Sequence, residues 1–135
     1  MSELFHASDL IHSYTRAEAI ADGTLVDVTA TAREAGFVVP VALTRSVWVD
    51  CVEWTEQDSK RKAAIQDQAS RLWDVVWMAN CAARRAAGSG RCNFEVFRVP
   101  RNGHGIRPRS VRLSMEVGPG DEGEPIITIM QPNED

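Results

Sequence analysis

Between Lys60 and Ala87 the chain carries the pattern that most constrains its fold: Ile65, Ala69, Leu72, Val76, Ala79 and Ala83 recur at alternating steps of four and three residues. That spacing returns apolar side chains to one face of a helix, so an amphipathic helix over about residues 60–87 is predicted. Trp73, Trp77 and Cys81 add a flanking row four residues apart, and the helical spacing of the two tryptophans assigns them to core packing. Asp58 or Ser59 can start this helix, Arg84 and Arg85 sit where the C-terminal dipole favours cations, and Gly88-Ser89-Gly90 ends it. At about 1.5 Å per residue it would be about 40 Å long, a central support for the rest of the chain.

The segment before it reads as short helices separated by turns. Thr15-Arg16-Ala17-Glu18 fits a capping box, and Gly23 supplies a left-handed stop, which predicts a helix over about residues 16–22. Leu25 and Val26 form an extended pair, and Asp27 or Thr29 can cap a second short helix that ends at Gly36. Residues 37–43 are apolar but interrupted by Pro40, which cannot donate to a central ladder, so a buried connector is expected there. Thr44 can cap a third helix with Val47, Cys51 and Trp54 on one stripe and Trp48 and Val52 on the next.

After Gly90 the periodicity changes from helical to alternating. Phe94 and Val96 oppose Glu95, Phe97 and Val99, so the first strand is apolar on parts of both faces. Asn102-Gly103 is a strong hairpin signal. Val111, Leu113, Met115 and Val117 alternate with polar residues, residues 118–124 make the next turn, and residues 126–130 form a last strand. The expected architecture is α+β. Three or four N-terminal helices, including the long one at about 60–87, pack on a C-terminal three-stranded antiparallel meander. A chain of 135 residues can bury roughly two-thirds of its unfolded surface around one core, so a single domain over residues 1–135 is expected.

Composition narrows the function classes. An apolar fraction of 44% with 25% charged residues fits a globular protein rather than a disordered one. No apolar run approaches the length of a membrane helix, and Glu3 and Asp9 stand where a secretion signal would carry positive charge, so a cytoplasmic location is expected. Cys51, Cys81 and Cys92 are odd in number and outside CxxC pairs, which predicts buried free thiols. His6, His12 and His104 are too scattered for a zinc site, and no metal or cofactor is expected.

Charge is unevenly distributed along the chain. Residues 1–83 hold 7 basic and 12 acidic side chains, residues 84–112 hold 8 and 1, and residues 113–135 hold 0 and 6. Alternating blocks of this kind suit docking to a partner of mixed charge. The candidate partner-binding residues are accordingly Arg98, Arg101, Arg107, Arg109 and Arg112 around the first hairpin, and Asp121, Glu122 and Glu124 in the second turn. Trp48 and Trp54 join them, because they lie on opposite parts of a short helix and one of the two is expected to be partly exposed. The arginines would also serve a nucleic-acid interface, but the core is expected to claim Phe94 and Phe97, the aromatics available for base stacking. His6, His12, Tyr14, Thr15, Arg16 and Glu18 gather polar chemistry near the N-terminus without forming a GxSxG, HExxH or comparable signature, so no catalytic residue is assigned.

The segments IHSYTRAEAIADGTLVDVTATAREAGF, RLWDVVWMA and VGPGDEGEPIITIMQPNED together resemble a family of short proteins found in phages, plasmids and other mobile elements. The resemblance spans about residues 10–135 and carries no assigned activity. It implies a small protein-binding accessory, of the kind that inhibits a host defence system such as a restriction or CRISPR effector, with a host or element-encoded protein complex as partner. A much shorter similarity, over Leu4-Phe5-His6 and residues 14–26, is to the opening strand and helix of ADP-ribosyltransferase-like folds, and implies an NAD-using enzyme.

Overall fold

A computed structural model describes residues 14–86 and 88–134. Thr15 opens helix α1 (Arg16–Asp22) with the expected capping box, and Gly23 closes it in the left-handed region. Strand β1 (Leu25–Asp27) and helix α2 (Thr29–Ala35) follow. Asp27 Oδ1 accepts from both the N–H and the hydroxyl of Thr29, so the first turn of α2 is held by the residue two positions before it. Gly36 ends α2 with φ of 117°, and a Cβ there would meet the Asn80 and Arg84 side chains at 3.2 Å. Glycine is required both by that backbone angle and by the close approach.

Strand β2 (Val41–Thr44) leads directly into α3 (Arg45–Val47), which continues as a π-helical turn (Trp48–Val52) closed by Glu53 N–H donating to Trp48 O at 2.8 Å. Thr44 caps α3, as its position suggested. Helix α4 (Glu56–Lys62) and helix α5 (Gln68–Arg85) complete the helical part. Strands β3 (Arg91–Arg98), β4 (Arg109–Pro119) and β5 (Pro125–Met130) form the antiparallel meander.

The meander is only part of the sheet, and here the sequence expectation fails. Among the described residues five α-helices and the π-helical turn accompany a five-stranded mixed sheet of order β1-β2-β5-β4-β3, in place of a three-stranded antiparallel one. Residues 41–43 pair parallel with β5, Val41 opposite Ile127 and Leu43 opposite Ile129, and β1 adds antiparallel to β2. Pro40 does not prevent this because it stands just before the strand, where its missing N–H costs no ladder bond. Its carbonyl accepts from Ile127 N–H at 2.9 Å. The apolar run is a strand buried on both faces, Val41, Ala42 and Leu43 all being 0% exposed.

The long helix is also broken. Ala63 adopts φ of 50°, the one non-glycine residue with positive φ among the described residues, and α4 and α5 are separate elements. Two capping signals compete within the periodic run. Thr55 and Asp58 form a capping box for α4, and Asp67 accepts from Ala69 N–H to start α5. Ile65, which the spacing placed on the buried stripe, is 91% exposed in the break. From residue 72 onward the stripe holds in part: Val76 and Ala79 are buried, and Leu72 and Ala83 are partly buried. Val75, Val76, Ala79 and Ala82 are buried against Phe94, Val96, Leu113, Leu43 and Ile129, with α2 and the π turn closing the same core.

A charged knot ties α4 to the β3–β4 hairpin and accounts for the break. Lys62 is buried, its Nζ donating to Asn102 O and Gly103 O at 3.0 and 3.2 Å. Asp58 is buried as well, accepting from Arg101 Nε at 2.8 Å, Arg61 Nη2 at 3.0 Å and Thr55 N–H at 2.9 Å. Burial alone would raise its carboxyl, but the bonds from Thr55 and Arg101 outweigh that and hold it down, from 3.8 to about 2. Because the folded value lies below the unfolded one, this stabilisation is complete above the unfolded value and disappears as pH falls towards 2. Asp58→Asn is expected to lower the unfolding free energy at neutral pH by about 2–4 kcal/mol. Thermal denaturation followed by circular dichroism should also show its Tm falling less steeply than wild type between about pH 4 and pH 2.

Candidate functional site

The arginines around the first hairpin divide into two groups. Arg98 and Arg101 are structural. Arg98 Nη2 bridges both Asp50 carboxylate oxygens at 3.1 and 3.2 Å, while Arg101 Nη1 reaches Glu53 at 2.7 Å and Val49 O at 3.2 Å beside its bond to Asp58. Arg107, Arg109 and Arg112 are exposed, and Arg112 lies 3.9 Å from Glu95. Arg98, His104 and Arg109 line a cavity of about 390 Å³ under the loop.

The acidic turn is likewise partly committed to the fold. Asp121 accepts from the Arg16 and Ala17 N–H groups at 2.7 and 3.0 Å and so ties the start of α1 to the β4–β5 turn. Glu124 accepts from Glu122 N–H at 2.9 Å within the turn. Both glutamates are exposed. Among the described residues no three His, Cys, Asp or Glu side chains are placed to share a metal ion.

The tryptophans redistribute the expected surface. Trp54 is buried, donating from Nε1 to Ser59 Oγ at 2.7 Å, with the Arg71 guanidinium carbon 4.8 Å from its ring centroid. Trp48 is partly buried against the core. Trp73 and Trp77, assigned to the core from their spacing, are 37% and 42% exposed and stack on each other with centroids 5.8 Å apart at 16°. Phe97, also expected inside, is 66% exposed, whereas Phe94 is buried.

These aromatics line one side of the molecule, where α5 runs along edge strand β3. Trp77, Met78 and Asp74 from the helix face Glu95, Val96 and Phe97 from the strand across a cavity of about 210 Å³. A second cavity of about 200 Å³ shares Asp74, Val96 and Phe97 and reaches Cys51, Arg71 and Arg98. Among the described residues strand β3 pairs with β4 alone, so alternate residues turn their N–H and C=O away from the sheet along this groove.

Electrostatics distinguish the groove's walls. Asp74 makes no hydrogen bond or ion pair among the described residues; burial pushes its carboxyl up, with Arg71 opposing. Arg71 is itself buried and donates to the carbonyls of Val52, Val99 and Asp50. Cys51, at the inner end, is buried and its thiol is pushed up to about 12 by that burial, so it is a packing group rather than a nucleophile. Cys81 and Cys92 are free and half-buried.

Sequence reasoning therefore named a docking surface at the hairpin and missed the groove. The missed residues are Asp74, Trp77, Met78, Glu95 and Phe97. Signals were present: Phe97 alternates out of phase with Phe94 and Val96, and Trp73 and Trp77 flank the apolar stripe rather than occupy it. The polar N-terminal cluster is only partly visible, since His6, His12 and the Leu4-Phe5-His6 segment lie outside the described residues. Tyr14 donates to Asp22, and Thr15 and Glu18 cap α1.

A model of a family of unknown function (DUF6573) matches residues 1–135, and the chain belongs to that family. No curated protein and no solved structure matches it. No described helix is long and apolar enough to cross a membrane.

The exposed aromatic pair should matter little for folding. Trp77→Ala is expected to change the unfolding free energy by less than about 1.5 kcal/mol. Its neighbour Val76→Ala, fully buried, should cost about 2 kcal/mol or more. Urea titration of both variants measures the contrast.

Proposed function

We propose that this protein acts by binding another protein through the groove between α5 and β3. The single observation carrying this reading is the exposed Trp73–Trp77 stack set beside exposed Phe97 at a sheet edge that no described strand pairs. Tryptophan dominates binding energy where it sits in a central apolar pocket, and an aromatic cluster held at solvent costs free energy until a partner covers it. The resemblance of three segments to proteins of phages, plasmids and other mobile elements supports taking the partner to be a host or element-encoded protein. A restriction or CRISPR-type defence complex is the first candidate under this reading.

Nucleic acid is the less favoured ligand. Two of the five hairpin arginines are held by Asp50, Glu53 and Asp58, which leaves Arg107, Arg109 and Arg112 as the exposed basic groups of that set. The groove's own carboxylates, Asp74 and Glu95, would repel phosphate.

Photocrosslinking in host cells tests the proposal. A benzoyl-phenylalanine placed at position 77 or 97 should give an adduct with one protein, identified by mass spectrometry, that is absent when the group is placed at 107 or 122. Adducts of equal yield from all four positions, or adducts to nucleic acid from 107, would contradict it.

A further inference from the structure

We infer that the α5–β3 groove takes an extended peptide as an added β-strand, and that this peptide carries a lysine or arginine next to an apolar residue on its groove-facing side. The inference rests on the protein-binding reading above and deepens it by giving the partner's chemistry.

The backbone part follows from topology. β3 is eight residues long and stands at the end of the sheet. The opposite edge is held by β1, only three residues long, which is the usual protection against strand addition. Among the described residues no strand pairs with the outer edge of β3, and β3 contains neither proline nor glycine. Its ladder to β4 is unbroken from Arg91 to Arg98, so the outward N–H and C=O groups form a regular row.

The side-chain part follows from the groove wall. A strand added to β3 would turn every second residue towards α5, as Val96 does, and that space is bounded by Trp77, Met78 and Val96. Apolar side chains fit there. Asp74 rims the same space from the helix; Glu95 borders it from the strand, with its carboxylate on the other sheet face beside Ser110 and Arg112. Among the described residues Asp74 makes no hydrogen bond or ion pair, and Glu95 meets the exposed Arg112 at 3.9 Å and the Ser110 hydroxyl at 3.0 Å. Of the cations at the inner end, Arg98 is paired with Asp50, and Arg71 spends its donors on carbonyls and reaches Asp74 through its charge alone. A peptide lysine or arginine would pair with Asp74 and lie against Trp77, joining a charge contact to a cation–π contact. An acidic peptide would meet the Asp74 carboxylate at the rim.

A phage-displayed library of extended heptapeptides, randomised at every second position and selected on the immobilised protein, reads both parts. Enriched sequences should carry Lys or Arg beside an apolar residue at least about 5-fold over Asp or Glu. Binding of the best peptide should weaken at least about 10-fold on Trp77→Ala, and N-methylation of its alternate amides should abolish it. The Asp74→Asn/Glu95→Gln variant should still bind but lose its preference for basic residues. Circular dichroism confirms that each variant is folded. Enrichment of neutral or acidic peptides that still require Trp77 would overturn the charge inference while leaving the docking reading intact. Failure to enrich any peptide, or a Trp77-dependent dimer in analytical ultracentrifugation at micromolar concentration, would overturn both.

Discussion

The structure depends on a buried arginine. Arg71 sits in the first turn of α5, almost without exposure, and its guanidinium donates to Val52 O at 3.0 Å, Val99 O at 3.0 Å and Asp50 O at 3.4 Å. The π-helical turn does not continue into a further turn whose N–H groups would donate to its last carbonyls, and a buried carbonyl left unmatched is costly. Arg71 supplies those donors and lies against the Trp54 ring, while Arg101 completes the set at Val49 O. One cation thus fixes three elements against one another: the π turn, the start of α5 and the end of β3. Burial lowers its pKa from the ordinary arginine value, yet guanidinium is basic enough to stay charged, so the anchor holds at physiological pH.

That anchor explains where the groove lies. With β3 pinned at Val99 and α5 pinned at its first turn, the helix runs beside the sheet edge. Trp73 and Trp77 consequently fall outside the seam that Val75, Val76 and Ala79 make with the sheet. The neighbouring knot of Asp58, Arg61, Lys62 and Arg101 holds the hairpin loop against α4 and keeps Arg98 facing Asp50. Of the eight basic residues between 84 and 112, Arg91, Arg98, Arg101 and Arg112 meet carboxylates within the molecule. The exposed chemistry left at the α5–β3 edge is aromatic and acidic.

Much of this was legible in the sequence, and the failures have identifiable causes. Local signals were reliable: Thr15, Gly23, Gly36 and Thr44 start or end helices as their chemistry requires. The alternation after Gly90 gave the meander. Strand pairing between residues 41–43 and 127–129 was not legible, because a parallel contact across 86 positions leaves no local mark and Pro40 argued against it. The helix break was hidden for the opposite reason: Ile65 continued the 4-3 spacing by coincidence while Asp67 was capping a new helix. Charge blocks suggested a docking strip at the hairpin, since sequence shows the sign of a side chain and not its partner. Arg98 and Arg101 find theirs 48 and 43 positions away, in Asp50 and Asp58.

Replacement of Arg71 by methionine, which keeps the apolar stem and removes the donors, probes the anchor most directly. Chemical denaturation of Arg71→Met should show a loss of about 3 kcal/mol or more, because three carbonyls lose their buried partner. A variant within about 0.5 kcal/mol of wild type would contradict the claim that this one cation organises the π turn, α5 and the edge strand.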